Sequence, residues 1–406
     1  MSFHYLRLKI VAIVLSVLVC ACGGGSSAPP PVGGLTVTPG GGQVTVSWTM
    51  APGVEYWLLY APVASISTND LPSGHLWATN ITSPYVVSGL INGTTYSFTL
   101  NGRTGGGPGG PGTPSVSAIP RPAGAVWTPS ALGSNTLRGL SFGSTSDSGG
   151  NNFVAVGDAG TIFKTTDGSV WTNISPGSAV NLNASLNALG KFLVAGAGGT
   201  IYYSGDLAFW GTAASNTSAN LHALATNGSL AVAVGDAGTI RYSSDGVTWY
   251  TAASAPTTAN LYGVAYAVDG RWVAVGAGGT LLTSTDGSNW SALNSGTNAD
   301  LKAIAVQSAF VNIFVAVGSA GTVLRSYDGL NWGIQQIPSA PNLTALTAGL
   351  DQLLAVGMSG AAFISTDSGG NWSQQNTGST ANLYGLGGTS VFYVAVGQNG
   401  SLITSR

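Results

Sequence analysis

The stretch VGAGGTLLTSTDGSNW, residues 275–290, decides how most of the chain folds. A glycine-rich turn comes first, an apolar run follows, and a Ser-x-Asp-Gly turn then leads to a tryptophan. Gly, Ser and Asp are favoured in tight turns, and a short apolar run between two turns is typical of a buried β-strand. The stretch therefore predicts a strand held between two tight turns.

Close copies of this stretch recur through the last two thirds of the chain. The V-G-x-x-G-T turn returns every 39 to 42 residues, with its first glycine at Gly157, Gly196, Gly235, Gly276, Gly318, Gly357 and Gly397. A leucine opens the short apolar strand before each turn: Leu137, Leu182, Leu221, Leu261, Leu301, Leu343 and Leu383. A tryptophan follows the first six turns: Trp171, Trp210, Trp249, Trp290, Trp332 and Trp372. A period near 40 residues indicates a repeat architecture.

The seventh copy ends at residues 404–406, before any tryptophan, and the missing piece lies upstream of the first copy. Residues 127–137 match residues 290–301 to within one residue. The first strand of the domain is therefore predicted to complete the last repeat, as in a β-propeller, where ring closure removes exposed sheet edges. We predict an all-β protein in which residues 122–406 form a seven-bladed propeller of four-stranded blades.

The tryptophan-bearing turns resemble the Asp boxes of two propeller families, the sialidase-like glycosidases and the photosystem II assembly factors. Residues 365–372 match the family pattern S-x-D-x-G-x-x-W, and the other copies are one residue shorter or change one position. The resemblance implies a structural role, in which Ser and Asp close a hairpin through backbone N–H groups while Trp fills the gap between sheets. The aspartates concerned are Asp167, Asp206, Asp245, Asp286, Asp328 and Asp367.

The N-terminus predicts export. Residues 1–21 carry Arg7 and Lys9 before an apolar run that is too short to span a membrane, which is the pattern of a signal peptide. Residues 19–22, VCAC, resemble the bacterial lipobox, and this resemblance implies a lipidated Cys22 and an outer-membrane anchor in the bacterial envelope. A plain signal peptide that is cleaved nearby is the alternative. Residues 22–33 are rich in Gly, Ser and Pro and are predicted to be a flexible linker.

Residues 34–121 predict a β-sandwich. Two strands with period-two alternation, 35–38 and 43–48, flank a PGGG turn. The region resembles a fibronectin type III domain, most specifically at residues 90–96, LINGTTY, which are similar to that family's tyrosine corner. Trp48 matches the family's buried tryptophan. Both a spacer and an adhesive module fit this resemblance.

The repeats differ mainly at the residue after each opening leucine. In Asp-box propellers this position lies at the mouth of the central channel, on the face opposite the Asp boxes. We predict a ligand-binding rim there, to which the glycine turns add two aspartates. The candidates are Arg138, Asn183, His222, Tyr262, Lys302, Thr344, Tyr384, Asp158 and Asp236. Ordinary surface variation is the alternative.

Composition favours a binding protein over an enzyme. Most glycosidases need two carboxylates, and sialidases pair a Tyr nucleophile with a Glu, but the only Glu, Glu55, precedes the repeats. Charged residues are 6% of the chain and the net charge is −2, so no basic field predicts nucleic-acid binding. We predict no catalytic residue, metal or cofactor. The leading hypothesis is a scaffold for a protein partner; a lectin-like glycan binder and a sialidase-like hydrolase are the alternatives.

Overall fold

A computed structural model describes residues 26–28, 34–69, 71–121, 124–308, 311–349, 351–389 and 392–405. These residues form β-strands and short 3₁₀ turns without an α-helix, so the all-β prediction is confirmed. The chain divides into two compact units, Met1–Pro120 (unit 1) and Arg121–Arg406 (unit 2). None of the described residues belongs to a helix long and apolar enough to cross a membrane. The predicted signal peptide and Cys22 lie outside the described residues.

Unit 1 consists of two antiparallel sheets. Its strands are β1 (Ser26–Ser27), β2 (Thr36–Gly40), β3 (Gln43–Ser47), β4 (Val54–Ala61), β5 (Leu76–Ile81), β6 (Tyr85–Ser88), β7 (Tyr96–Thr104) and β8 (Val116–Ala118). One sheet has the order β1-β7-β4-β5, with β8 also paired to β7, and the other has the order β2-β3-β6. Both sheets contribute alternate apolar side chains to one core.

Two aromatic residues link the core of unit 1 to its loops. The ring of Tyr96 is buried, and its hydroxyl accepts a hydrogen bond from the Ile91 N–H at 3.3 Å. Trp48 packs edge-on against Tyr56, with ring centroids 5.5 Å apart, and the Tyr56 hydroxyl accepts a hydrogen bond from the Ala51 N–H. Each tyrosine therefore fixes the loop that precedes its own strand.

Part of the predicted flexible linker instead forms an edge strand of the first sheet of unit 1. Ser26 and Ser27 pair with Thr104 and Arg103 of β7, and Ala28 is buried. This corrects the prediction for residues 26–28. The composition of the segment favours flexibility, but the outer edge of β7 offers unpaired backbone groups that an extended segment can satisfy.

Unit 2 opens with β9 (Trp127–Ala131) and then repeats one four-stranded antiparallel pattern. The first three sheets contain β10 (Leu137–Gly143), β11 (Asn152–Gly157), β12 (Ile162–Thr165), β13 (Thr172–Asn173); β14 (Leu182–Ala188), β15 (Lys191–Gly196), β16 (Ile201–Ser204), β17 (Gly211–Thr212); β18 (Leu221–Thr226), β19 (Ala231–Gly235), β20 (Ile240–Ser243) and β21 (Tyr250–Thr251). The next three contain β22 (Leu261–Ala267), β23 (Arg271–Gly276), β24 (Leu281–Ser284), β25 (Ser291–Ala292); β26 (Leu301–Ser308), β27 (Asn312–Gly318), β28 (Thr322–Ser326), β29 (Gly333–Gln336); β30 (Leu343–Ala348), β31 (Leu353–Gly357), β32 (Ala362–Ser365) and β33 (Ser373–Gln375). The last contains β34 (Leu383–Gly388), β35 (Tyr393–Gly397) and β36 (Ser401–Ser405).

The seven sheets form a closed circuit. The first strands of successive sheets contact one another from β10 to β34, and β34 contacts β10. The last sheet takes its fourth strand from the start of the unit, because β36 pairs with β9 from Ser401 opposite Ala131 to Ser405 opposite Trp127. A hydrogen bond from the Gly124 N–H to the Ser405 hydroxyl, 2.8 Å long, adds to this closure.

The core of unit 2 lies between neighbouring sheets. The second strand of each sheet is buried on both faces, as in Ala231–Gly235, because a sheet packs on either side. Large side chains fill the gaps. Trp249 has no exposed surface and packs in a cluster with Leu193 and Leu221. Burying a side chain of this size contributes about 3 kcal/mol or more.

A 3₁₀ turn follows the second strand of every sheet, and its glycines are required by close contacts. Gly160 has φ +68°, and a Cβ atom there would lie 2.2 Å from the Ser178 carbonyl oxygen. The first glycine of the motif has extended backbone, but a Cβ at Gly157 would lie 2.1 Å from the Thr136 carbonyl oxygen. The V-G-x-x-G-T spacing is therefore set by steric exclusion at two points.

Side-chain clips join the 3₁₀ turn of one sheet to the first strand of the next. In each clip the oxygen of the residue before the opening leucine accepts the N–H of the middle turn residue, at 2.8 to 3.0 Å. The clip residues are Asn181, Asn220, Asn260, Asp300, Asn342 and Asn382. Thr136 occupies this position where the last sheet meets the first, and no side-chain clip is formed there among the described residues.

Candidate functional site

A single cavity of about 190 Å³ opens where the first strands of all seven sheets begin. Each of these strands starts with a leucine that has no exposed surface, and the next residue lines the cavity. The structure thus brings together the seven variable residues that the repeats single out: Arg138, Asn183, His222, Tyr262, Lys302, Thr344 and Tyr384. We call these seven residues the rim.

A β-bulge positions every rim residue. In the first sheet Leu137 is opposite Gly157 and Gly139 is opposite Val156, so Arg138 has no partner across the strand pair. The same register shift occurs after the opening leucine of the other six sheets. A bulge re-aims a side chain that a regular pleat would direct into the sheet packing. Here it directs the residue after each buried leucine into the cavity.

Three rim side chains pair with aspartates. Arg138 donates two hydrogen bonds to Asp158, with Nε at 2.6 Å from Oδ1 and a second nitrogen at 3.2 Å from Oδ2. His222 Nε2 lies 2.6 Å from Asp236 Oδ1. The predicted aspartates are thus adjacent to the rim but do not line the cavity. They hold the basic side chains in place, and the basic groups are nearer to the cavity than the acids.

The third pair includes an aspartate that sequence reasoning missed. Lys302 Nζ lies 3.0 Å from Asp300 Oδ2, while the other oxygen of Asp300 accepts the clip bond from the Gly278 N–H at 2.8 Å. The Gly278 N–H and, to a lesser extent, the Lys302 ammonium lower the pKa of Asp300. The sequence does contain a signal for Asp300, because it stands directly before the opening leucine Leu301, at a position where most repeats have Asn.

Two tyrosines separate the basic groups of the rim. The Tyr262 ring lies between Lys302, whose Nζ is 3.8 Å from the ring centroid, and His222, whose ring is 5.7 Å away. Tyr384 has the Arg138 guanidinium 6.0 Å from its centroid. Cation–π contacts of this kind favour a fixed ring orientation. Among the described residues, neither tyrosine hydroxyl makes a hydrogen bond.

Two rim residues are engaged by the scaffold. The Asn183 side-chain amide donates to the Leu221 carbonyl oxygen at 2.9 Å. The Thr344 hydroxyl donates to the carbonyl oxygen of Leu383. Both bonds run from one sheet to the first strand of the next. These two residues therefore stabilise the circuit and offer less to a ligand than the other five rim residues.

The residues two positions further along each first strand also line the cavity, and six of the seven are aliphatic. They are Leu140, Ser185, Leu224, Val264, Ile304, Leu346 and Leu386. The cavity thus combines a polar, basic and aromatic rim with apolar side chains, which is a common composition for a ligand site. None of the lining residues that the structure describes is an Asp or a Glu.

The six Asp-box aspartates lie at the opposite ends of the strands from the rim, in the turns that follow the third strand of the first six sheets. In the turn after β24, Asp286 Oδ1 accepts the N–H groups of Ser288 and Asn289, and Ser284 donates its hydroxyl to the same oxygen. The Trp290 Nε1–H then donates to the Gly287 carbonyl oxygen. These bonds close the turn, and among the described residues the carboxylate of Asp286 bonds only to groups of this turn.

The hydrogen bonds also govern the ionisation of these aspartates. Burial alone would raise the pKa of Asp286, but the bonds from Asn289 and Ser288 outweigh it and lower the pKa to about 2. Bonds from the backbone and side chain of Asn331 hold the pKa of Asp328 well below its usual range. A carboxylate of this kind stays ionised near neutral pH and is unsuited to general acid catalysis.

One Asp box departs from the others. Leu207 occupies the glycine position with φ +58° and is fully buried, and the Trp210 Nε1–H donates to Ile174 of the preceding sheet instead of to its own turn. Burial of the leucine offsets the backbone strain. In the part of the chain that the structure describes, no group of three His, Cys, Asp or Glu residues is placed to hold a metal ion.

Comparisons with known proteins bear on the fold. No protein-family model and no curated protein sequence matches the chain. Solved structures similar to 69% of the chain include YCF48 bound to D1 peptide (TM-score 0.56, 18% identity, 94% of that chain) and virginiamycin B lyase from Staphylococcus aureus (0.58, 10%, 99%). The WD40 β-propeller domain of Doa1 is also similar (0.52, 11%, 97%). Unit 1 has 120 of the 406 residues, so these matches fall largely in unit 2.

Unit 2 is a β-propeller. At these identities the likeness concerns the fold alone, and a shared fold does not imply a shared function. The propeller prediction is confirmed, and the function of this propeller has to be argued from its own rim.

Proposed function

We propose that unit 2 is a non-catalytic, seven-bladed propeller that binds a segment of a partner protein at the rim. The observation that carries the proposal is the convergence of all seven bulged residues on one cavity. The repeats preserve their turns and core positions, but the seven rim positions carry six different kinds of side chain, with only Tyr used twice. A purely structural position would have the same requirement in every sheet.

The chemistry of the rim suits a peptide. Arg138 and Lys302 can donate to peptide carbonyl oxygens or to acidic side chains, and the ion pairs with their own aspartate partners hold them in place. Tyr262 and Tyr384 offer ring surface and uncommitted hydroxyls, and tyrosine is enriched in protein interfaces for this combination. Two of the similar propellers are consistent with the proposal, since one is described with a bound peptide and the other is a WD40 domain.

The absence of acidic groups from the cavity lining supports a non-catalytic function. A hydrolase of the two-carboxylate type needs an acid and a base flanking the scissile bond. Among the described residues, the carboxylates paired with the rim are Asp158, Asp236 and Asp300, and the partner of each is a basic side chain. The likeness to a lyase is at 10% identity and carries no argument about activity.

A glycan is the second candidate ligand. It is favoured by Tyr262 and Tyr384, because sugar rings stack on aromatic side chains and sugar hydroxyls would find the two free phenol groups. The engagement of Asn183 by the Leu221 carbonyl argues against it, since the rim then lacks a free amide. We therefore rank the peptide first and treat the glycan as a distinct outcome of the test.

We further propose that the protein is a lipoprotein of the bacterial envelope, anchored in the outer membrane through a lipidated Cys22. The lipobox-like residues 19–22 support this proposal. Unit 1 is proposed to be a fibronectin type III domain, supported by its two packed sheets and by the buried Tyr96 that bonds upstream backbone.

The test compares variants of the full chain on intact cells by quantitative cross-linking, followed by a glycan array. The rim variant combines Arg138→Ala, His222→Ala and Tyr384→Ala; the control combines Lys191→Ala and Tyr250→Ala, two positions outside the cavity lining. We expect a partner protein to be cross-linked to the unmodified chain and to the control, but not to the rim variant. Array binding that depends on the rim would favour the glycan. Equal cross-linking by both variants would contradict the rim as the binding site.

A further inference from the structure

The first described segment of unit 1, residues 26–28, is fixed to the edge of β7 by three contacts. Ser26 lies opposite Thr104 and Ser27 lies opposite Arg103, so β1 forms an edge strand antiparallel to β7. The Ala28 N–H donates to the Gly102 carbonyl oxygen at 3.2 Å. Ala28 is 3% exposed, which shows that the segment is packed as well as paired.

The glycine-rich loop after β7 covers this docked segment. The Gly110 N–H donates to the same Gly102 carbonyl oxygen, at 2.9 Å. A Cβ atom at Gly110 would lie 2.0 Å from the Ala28 carbonyl oxygen, so only glycine allows this approach. Gly110 of this loop therefore allows the loop to hold the incoming chain against β7.

The docked segment is very close to Cys22 in the chain. Only residues 23–25 separate Cys22 from Ser26, and a fully extended chain spans at most about 3.6 Å per residue, so the two residues are at most about 14 Å apart. Without docking, the free chain would run to Leu35 and its reach would be about 47 Å. Docking therefore shortens the tether about threefold.

From this geometry we infer that unit 1 faces the lipid bilayer with the end at which β1 enters, here called the entry end. The inference rests on the proposed lipid anchor at Cys22. Three loops lie at this end. Residues 48–53 connect β3 to β4, residues 82–84 connect β5 to β6, and residues 105–108 follow β7. The start of β4 and the end of β5 lie at the same end of the sheet as the end of β7. A tether of at most about 14 Å keeps the start of β1, and the loops beside it, close to the headgroups.

The chemistry of the entry end is compatible with a lipid surface. Its three loops read WTMAPG, TSP and GGGP, and none of these described residues is charged. The nearest charged groups, Glu55 and Arg103, neutralise each other at 2.7 Å. An uncharged end meets no repulsion from anionic headgroups.

The chain leaves unit 1 at its other end. Strand β8 is antiparallel to β7, with Ala118 opposite Tyr96, and the Pro120 carbonyl oxygen accepts the Gly93 N–H at 2.8 Å. Strand β7 has nine residues, and eight steps of about 3.4 Å give a length of about 27 Å between entry and exit. Unit 1 therefore acts as a spacer of about this length, and its exit end is held away from the bilayer.

Fluorescence energy transfer to an acceptor dye on the headgroups of phospholipid vesicles tests this inference with the full, lipidated chain. A single introduced cysteine carries the donor, since Cys20 and Cys22 are the only cysteines of the chain. Thr49→Cys labels the entry end and Ile91→Cys labels the exit end; both positions are exposed. We expect transfer from Thr49→Cys to exceed that from Ile91→Cys at least about twofold, given the ~27 Å between the ends.

Two further variants separate docking from simple charge effects. Ala28→Asp places a carboxylate at a buried position, so it is expected to release β1 and to make the energy transfer from the two labelled ends equal. Ser27→Asp adds the same charge at an exposed position and is expected to preserve the difference in transfer. Equal transfer from both ends of the lipidated chain would overturn the inference, as would no effect of Ala28→Asp.

Failure of the anchor is distinguishable from failure of the docking. If Cys22 incorporates no labelled fatty acid, both the anchor and the orientation are wrong. Hydrogen exchange reports on docking without any membrane, because the Ala28 and Gly110 amides should be protected in the unmodified chain and exposed in Ala28→Asp. Unprotected amides in the unmodified chain would refute the fixed tether even if the protein is lipidated.

Discussion

Thr136→Asn is expected to stabilise unit 2, because it supplies the clip that is missing where the last sheet meets the first. The 3₁₀ turn Gln398–Gly400 contacts β10 as the other turns contact the next first strand. Its middle residue, Asn399, has φ 54° and ψ 40°, nearly the values of Ala159, which is clipped by Asn181. The Asn399 N–H is therefore oriented to reach an amide oxygen at position 136.

The size of the gain follows from the exposure of this N–H. Asn399 lies on an exposed turn, so water already satisfies its N–H, and a new hydrogen bond contributes only about 0.5–1 kcal/mol. For a unit of this size the corresponding increase in melting temperature is about 1–3 °C. The Thr136 side chain makes no hydrogen bond among the described residues, so its replacement removes no competing bond.

The assay is thermal and urea unfolding of matched variants followed by circular dichroism. Asn382→Thr is the reverse control, because it removes the acceptor of the Ser359 N–H at the preceding junction and is expected to lower stability by a similar amount. A Thr136→Asn protein with an unchanged or lower midpoint, alongside a destabilised Asn382→Thr, would show that the last turn is not positioned like the others. Unchanged midpoints in both variants would refute the stabilising role of the clips.

Three further outcomes are expected from unfolding measurements. Trp249→Ala removes a fully buried side chain and should cost about 3–5 kcal/mol in urea unfolding; a loss below 1 kcal/mol would contradict its role as a filler between sheets. Gly160→Ala should destabilise far more than Gly198→Ala, because both have positive φ but only Gly160 has a carbonyl oxygen 2.2 Å from the added Cβ. Stability should fall as the pH is lowered below about 4. Carboxylates whose pKa is lowered in the folded state, such as Asp286 at about 2, stabilise the fold above their unfolded pKa, and this stabilisation is lost when they are protonated. A flat stability profile between pH 5 and pH 2 would refute this expectation.

The repeat architecture was readable from the sequence because it rests on local sterics. Glycine is needed at Gly157 and Gly160 since any Cβ would strike a carbonyl oxygen, and the same requirement recurs in each sheet. The opening leucines mark the phase of the first strands in the same way, which is why the position of the rim could be predicted one residue after each of them. A steric requirement that acts within one repeat selects the same residue at the same position of every repeat, so it is visible as a period in the sequence.

What the sequence did not reveal depends on partners from a different part of the chain. Composition alone indicated a flexible segment at residues 26–28, whereas pairing with β7, more than seventy positions later, orders it. Asp300 could not be recognised as the partner of Lys302, nor the Asn residues as clips, until the 3₁₀ turn of one sheet was placed against the first strand of the next.

The sequence by itself determined the all-β class, the repeat and the residues that vary around the ring, because turn sterics and hydrophobic phase act over a few neighbouring residues. The tertiary structure decided how those residues are oriented and neutralised. The bulges that direct the rim side chains inward, the aspartates behind them and the edge strand that shortens the tether all require non-local hydrogen bonds, which become favourable only after the sheets have assembled.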